Sequence, residues 1–257
     1  MKVVVCIKHV PDGRVRLDPE SMRIDRAGGG DVNKMDRYAV EEALRLKDDS
    51  DCEVVAVSMG PDQASESLRS ALALGADRAV LVSDPSLAGS DLIATSAVLA
   101  ALIARESPDL VLFGQQTSDG GGAVMWAAVA ERLRWPTVSQ VNELALADGS
   151  VRATRQTEYG DDVVEVPLPA AVAVTDAINQ PRYASLKGTM AAKRKPLNVV
   201  SVADLGFDAT AGGEAGSKTQ VLQIGPPPVR ARARRVEEEA AGAAQAIVEF
   251  LEENQLV

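Results

Sequence analysis

The part of this chain best suited to chemistry is a glycine run after a strand-like apolar stretch. Leu110–Phe113 leads into Gly114-Gln-Gln-Thr-Ser-Asp-Gly-Gly-Gly-Ala-Val-Met125. Gly120, Gly121 and Gly122 leave no side chains between backbone N–H groups and an incoming anion. The mouth of a helix expected over Gly120–Arg134 adds partial positive charge, so phosphate is the natural guest. Thr117 and Ser118 add hydroxyl donors. The same glycines equally suit a plain flexible connection, and the local sequence leaves both readings open. A second polar entry lies at Asn33–Lys47, where Asn33 or Asp36 caps a helix carrying Ala39, Val40, Ala43, Leu44 and Leu46 on one face. Other phosphate motifs are missing. No Gly-x-x-x-x-Gly-Lys-Ser/Thr is present, and Gly28-Gly29-Gly30 does not open a helix directly after a strand, which disfavours a P-loop phosphohydrolase and a standard NAD site.

The remaining reactive side chains are few. His9 is the only histidine, which excludes any multi-histidine metal site. It reads as a solvated residue at a strand end. Cys6 and Cys52 lie in or beside apolar runs and read as buried free thiols, with no spacing that suggests a disulfide framework or a metal. No nucleophile–base pair is evident.

The elements that must position these residues alternate. Strands are expected over Val3–Ile7, Glu53–Ser58, Ala79–Val82 and Asp109–Phe113. Helices are expected over Met35–Leu46, after Gly60-Pro61-Asp62 with Gly75 as its C-cap, and after Ser90 or Asp91. The alternation predicts an α/β fold: a parallel nucleotide-binding sheet with helices on both faces. Ligands in such sheets sit beyond the carboxyl ends of the strands, which include Lys8–Asp12, Ser58–Pro61 and Gly114–Gly120. After Trp135-Pro136 the pattern becomes a strand-rich segment over Val151–Gln156, Val163–Val166 and Ala170–Thr175, followed by a basic, polar stretch at Ala184–Lys195. Ala209–Ser217, with three glycines, reads as a mobile linker. Pro226-Pro227-Pro228 then precedes a C-terminal arm helix with Val236, Ala240, Ala243, Ile247 and Leu251 in one stripe. The expected division is 1–208 for the α/β domain, including a loop at 182–195, and 209–257 for linker and arm.

Composition bounds the partners. The chain has 257 residues, 46% hydrophobic and 3% aromatic, with a net charge of −10. This disfavours nucleic acid and anionic membranes as bulk partners. The apolar run at Val3–Ile7 is too short for a signal peptide or a membrane span, so a cytoplasmic protein without membrane insertion is expected.

Several motifs in order carry a family resemblance. They are Val3-Val-Val-Cys-Ile-Lys8, the Asn33–Lys47 block, Val57-Ser-Met-Gly-Pro61, Arg69-Ser-Ala-Leu-Ala-Leu-Gly-Ala-Asp-Arg78, Gly114-Gln-Gln116, Trp135-Pro136 and Asn179-Gln-Pro-Arg-Tyr-Ala-Ser-Leu186. Together they resemble the β subunit of electron transfer flavoproteins from Val3 to about Asp208. The resemblance implies an electron carrier, not a self-sufficient enzyme, paired with an α subunit that carries the redox-active FAD. This chain would hold AMP, or FAD if the assembly is an electron-bifurcating flavoprotein. The implied nucleotide site comprises Cys6, Asn33 to Asp36, Met59, Gly114, Gln116, Thr117, Asp119, Gly120, Gly121, Gly122, Ala123, Val124 and Met125, with Asp119 through Met125 at phosphate. The segment 182–195 corresponds to the family's recognition loop for acyl-CoA dehydrogenase or a similar flavin dehydrogenase, with Leu186 as apolar anchor beside Lys187, Lys193, Arg194 and Lys195. Gly122, Ala123 and Val124 stand where relatives tend to offer polar side chains, which shifts phosphate contacts to the backbone. A homodimeric nucleotide-binding regulatory module would use the same sheet and loop, but it leaves the Asn179–Leu186 motif and the arm without a use.

Overall fold

In a computed structural model of the chain, residues 1–13, 16–26, 28–225 and 235–257 are described. They form two compact units, Met1–Leu222 and Gln223–Val257. The chain starts in the middle of a sheet with β1 (Lys2–Cys6). Two short ribbons follow, pairing β2 (His9–Pro11) with β5 (Gly30–Val32) and β3 (Leu17–Asp18) with β4 (Arg23–Ile24). Next come α1 (Lys34–Asp49), β6 (Glu53–Met59), α2 (Ala64–Leu74), β7 (Arg78–Val82), α3 (Leu92–Glu106), β8 (Leu110–Gly114) and α4 (Met125–Leu133). The strand-rich part is β9 (Thr137–Ala147), β10 (Ser150–Thr157), β11 (Gly160–Pro167) and β12 (Ala170–Val174). After it come α5 (Leu186–Ala192), β13 (Leu197–Val200) and the short α6 (Gly213–Gly216).

Among the described residues the main sheet has nine strands, in the order β11-β10-β9-β12-β8-β1-β6-β7-β13. All neighbours from β9 to β13 in that order run parallel, and β10 and β11 extend the sheet as antiparallel strands. Because both faces are covered, the inner strands carry continuous apolar runs, as at Val3–Cys6, Val54–Val57 and Leu110–Phe113. Val3 and Val5 join one core with Leu44, Leu68 and Leu72 of α1 and α2, while Val4 and Cys6 join the other with Val98, Leu102 and Val129 of α3 and α4. The crossovers β1–α1–β6–α2–β7 build the sheet in one direction. The chain then returns past β1 through α3 to lay down β8, and a right-handed crossover in the reverse direction must place α3 on the opposite face. The strand order therefore reverses between β1 and β8, the position beyond which ligands bind in sheets of this kind.

Four expectations need correction. The helix expected from Gly120 begins only at Met125, because Gly121 (φ +59°) and Ala123 (φ +49°) are left-handed and cannot continue a right-handed helix. Residues 209–217 are not a bare linker. They form a 3₁₀ turn at Ala209–Ala211 and then α6, and the Gly213 N–H donates to Ser90 Oγ at 2.8 Å. A Cβ on Gly213 would lie 2.1 Å from Ser86 O, so this glycine serves close approach. The Asp91 carboxylate caps α3 and also accepts the Lys218 N–H at 2.7 Å. His9 is not a solvated end residue: it sits half-buried in β2 with Nδ1 2.8 Å from Ser67 Oγ of α2. Lys195 does not stand free in the basic stretch, since its ammonium donates to Leu72 O and Ala76 O at the end of α2 at 3.1 and 2.6 Å. Both cysteines are buried and free, as expected.

The second unit contains α7 (Ala240–Glu253), which starts after Val236 and carries exposed Ile247, Val248 and Phe250. The Pro226–Pro228 run lies outside the described residues. Among the described residues, no helix is long and apolar enough to cross a membrane.

Candidate functional site

The carboxyl ends of β1 and β8 meet the start of α1, and this switch point is the candidate ligand crevice. Asn33 stands at the N-cap position but makes no side-chain cap. Its amide instead reaches across to the loop after β8. Nδ2 donates to Gln116 O at 2.9 Å, and Oδ1 accepts the Ser118 N–H at 3.1 Å. The same Nδ2 donates to Asp36 Oδ1 at 2.9 Å, and Asp36 Oδ2 accepts the Lys8 N–H at 2.8 Å. Asn33 and Asp36 are both buried. Three segments distant in sequence are thus joined through two side chains: the end of β1, the start of α1 and the loop after β8.

Gly114 is demanded by that junction. A Cβ there would lie 2.4 Å from Asp36 Oδ1 and 2.6 Å from the Met35 carbonyl carbon. Burial pushes the Asp36 carboxyl up to about 7, against the N–H donors of Lys8, Asn33 and Gly114, which favour its charged form. Burial also raises the Cys6 thiol well above its ordinary value, with the Asp36 charge adding to the shift. Cys6 is therefore a neutral, buried thiol and no nucleophile.

Beyond Gly114 the loop is held at one point and open at the next. Gly121 N–H donates to Thr117 O at 2.8 Å, whereas Cβ atoms built on Gly121 and Gly122 meet nothing within 4 Å. The left-handed backbone at Gly121 and Ala123 therefore leads into the start of α4 with open space beside Gly121 and Gly122. Asp119 does not face that open space as a phosphate ligand would. Its carboxylate accepts Lys8 Nζ at 2.9 Å and an Arg26 guanidinium nitrogen at 2.5 Å, and its side chain is 1% exposed. Burial opposes ionisation there, but the hydrogen bonds from Lys8 and Arg26 and the Lys8 charge outweigh it, and hold Asp119 well below the usual carboxylate range. Met59 ends β6, two positions beyond Val57, the partner of Cys6 across the β1–β6 ladder.

Sequence reading missed Lys8 and Arg26. Lys8 carried one signal, its place at the carboxyl end of β1. Arg26 carried none, because only folding brings its segment to Asp119.

The second group of expected residues lies on α5. Ser185 caps that helix through the Gly188 N–H at 3.0 Å. Leu186 (80% exposed) and Met190 (65% exposed) are four residues apart, hence on one helical face. With Lys187 and Arg194 they line a surface groove of about 650 Å³. The helix is seated tightly on α2: a Cβ on Gly188 would lie 2.3 Å from Ala73 O, and Arg69 donates to Ala192 O and Lys195 O at 2.6 and 2.9 Å. Arg182 forks onto the nearly buried Glu41 carboxylate of α1 at 2.9 and 3.0 Å, and Asn179 Nδ2 donates to Tyr38 O and Glu42 Oε2 at 3.0 Å. Helix α1 thus carries the crevice at its start and anchors the approach to α5 along its length.

The chain is similar in sequence along most of its length to known proteins. The family description "electron transfer flavoprotein domain" matches residues 21–205. The chain is 39% identical over 263 residues to the electron transfer flavoprotein subunit beta of Methylophilus methylotrophus, covering 97% of this chain and 99% of the relative. It is 37% identical over 240 residues to the subunit beta of Megasphaera elsdenii, covering 90% and 89%. It is also 40% identical over 234 residues to the caffeyl-CoA reductase-Etf complex subunit CarD of Acetobacterium woodii, again covering 90% and 89%.

Proposed function

This chain belongs to the electron transfer flavoprotein family, with the β subunits, and on that premise we propose that it binds an adenine nucleotide in the β1–β8 crevice, pairs with an α subunit bearing FAD, and docks flavin dehydrogenases through α5. The observation that carries the nucleotide assignment is the Asn33–Asp36 junction, which ties α1 to the loop after β8 at the reversal of strand order. The residues present suit the group. The loop Gly120–Val124, open at Gly121 and Gly122, and the start of α4 would hold phosphate. Cys6, the Asn33–Asp36 segment, Met59 and Gly114–Thr117 would surround adenine and ribose.

Flavin supplies the redox chemistry of such an assembly when bound. This chain's own residues bind, orient and exclude water. The Leu186–Met190 face would give a partner dehydrogenase an apolar anchor, and Lys187, Lys193 and Arg194 would steer an acidic partner surface toward it.

The test is to co-purify the chain with its α subunit, denature the complex and quantify the released nucleotides. One FAD and one AMP per heterodimer support the plain carrier, and two FAD support a bifurcating subunit. A nucleotide-bearing homodimer that ignores the α subunit supports the regulatory module, and a preparation with neither nucleotide nor heterodimer refutes the proposal.

A further inference from the structure

Lys8, Arg26 and Asp119 form a cluster that the assignment above does not use. Lys8 follows β1, Arg26 lies between β4 and β5, and Asp119 immediately precedes the three glycines, so three separate segments supply one group each. Within the cluster two cations meet one carboxylate. The carboxylate is enclosed, while the Lys8 and Arg26 side chains keep 41% and 37% of their surface exposed. The Lys8 ammonium lies 3.9 Å from the point where a Cβ on Gly120 would stand, which puts it at the mouth of the glycine loop. Arg26 is steadied from a second side by His9 O at 3.5 Å. A solvated surface pair would leave both partners exposed and worth little. Here only the carboxylate is hidden, and the partly exposed cations stand beside the open space at Gly121 and Gly122.

We infer that Asp119 is a positioning residue that holds Lys8 and Arg26 over the glycine loop, and that the two cations contact the phosphate of the bound nucleotide and set the preference for a phosphorylated ligand. The inference rests on the nucleotide assignment for the crevice. A guanidinium already oriented by a carboxylate loses less freedom on meeting phosphate than a free one, which is the physical use of the arrangement. The loop backbone would then supply shape, and the cations charge.

The experiment compares calorimetric binding of AMP and of adenosine to the nucleotide-depleted full chain at two salt concentrations. Arg26→Gln and Lys8→Met are expected to weaken AMP on the order of tenfold to a hundredfold, to leave adenosine unchanged, and to flatten the salt dependence of AMP binding. Asp119→Asn separates positioning from bulk charge. It makes the cluster more positive, so unaided electrostatics demands tighter AMP, whereas loss of orientation demands weaker AMP. Arg26→Lys, which keeps the charge without the fork, should recover part of the loss. AMP bound as in wild type by Arg26→Gln and Lys8→Met, or more tightly by Asp119→Asn, overturns the inference and leaves the nucleotide site standing. Should Asp119→Asn not fold, the Arg26 and Lys8 variants at exposed side chains decide alone. A wild-type chain that takes neither AMP nor adenosine overturns the nucleotide assignment, and this inference with it.

Discussion

Replacing Gly114 with alanine tests whether the crevice depends on contact between β8 and the first turn of α1. The new methyl would lie 2.4 Å from Asp36 Oδ1, 2.6 Å from the Met35 carbonyl carbon and 2.7 Å from the Asp36 nitrogen. Two of those three atoms are backbone, so rotating one side chain does not relieve the clash. Ordinary contact requires α1 to retreat by about 1 Å, and interiors packed to crystal density resist that. Overpacking of this kind costs about 1–3 kcal/mol. If the Asp36 carboxylate also swings away, buried donors at Lys8 and Asn33 go unpaired at about 1–3 kcal/mol more. A loss near 3 kcal/mol corresponds to roughly 6–12 °C in Tm for a unit of this size, at roughly 2–4 °C per kcal/mol. Thermal unfolding followed by circular dichroism measures it, with Gly122→Ala as the control. No φ in the left-handed range and no atom within 4 Å constrain Gly122, so its Tm should move by less than about 1 °C. A Gly114→Ala protein that melts with the wild type and keeps its nucleotide would refute the reasoning.

Three further outcomes are expected. Burial raises the folded-state pKa of Asp36 to about 7, above its unfolded value, so its protonated form stabilises the fold at low pH and that stability is lost as pH rises toward and through 7. The apo chain should lose Tm relative to Asp36→Asn between pH 5 and 8, and parallel pH profiles for the two proteins would rule the linkage out. Leu186→Ala, on the exposed face of α5, should lower electron transfer with a partner dehydrogenase while Tm and nucleotide content hold, and unchanged transfer would remove α5 from the docking role. Gly121→Val places a β-branched residue at φ +59° in the open loop and should expel nucleotide, so full occupancy would count against a phosphate site there.

The sequence by itself carried the alternation of strands and helices through Arg134, because inner strands buried on both faces hold continuous apolar runs and the helices keep a one-sided stripe. It also carried the family, through motifs spread in order along the chain. Its failures have local physical causes. Strand β9 was invisible because Gln140 adopts φ +60° and the ladder to β12 shifts between Val172 and Val174, so buried Val138 and Val141 fall three apart and break the period-two signal. The glycines at 212, 213 and 216 suggested mobility, yet their lack of side chains serves packing: Gly213 against Ser86 and Ser90, Gly212 against Leu87, and Gly216 against the Ala211 backbone. Tertiary structure alone decided that Asn33 ties a loop and caps nothing, that Asp119 faces cations, and that Arg26 belongs beside the glycine loop. Periodicity records which face of an element meets the core. Which distant polar groups meet at the end of a sheet is set by strand order, and no local stretch of sequence encodes that order.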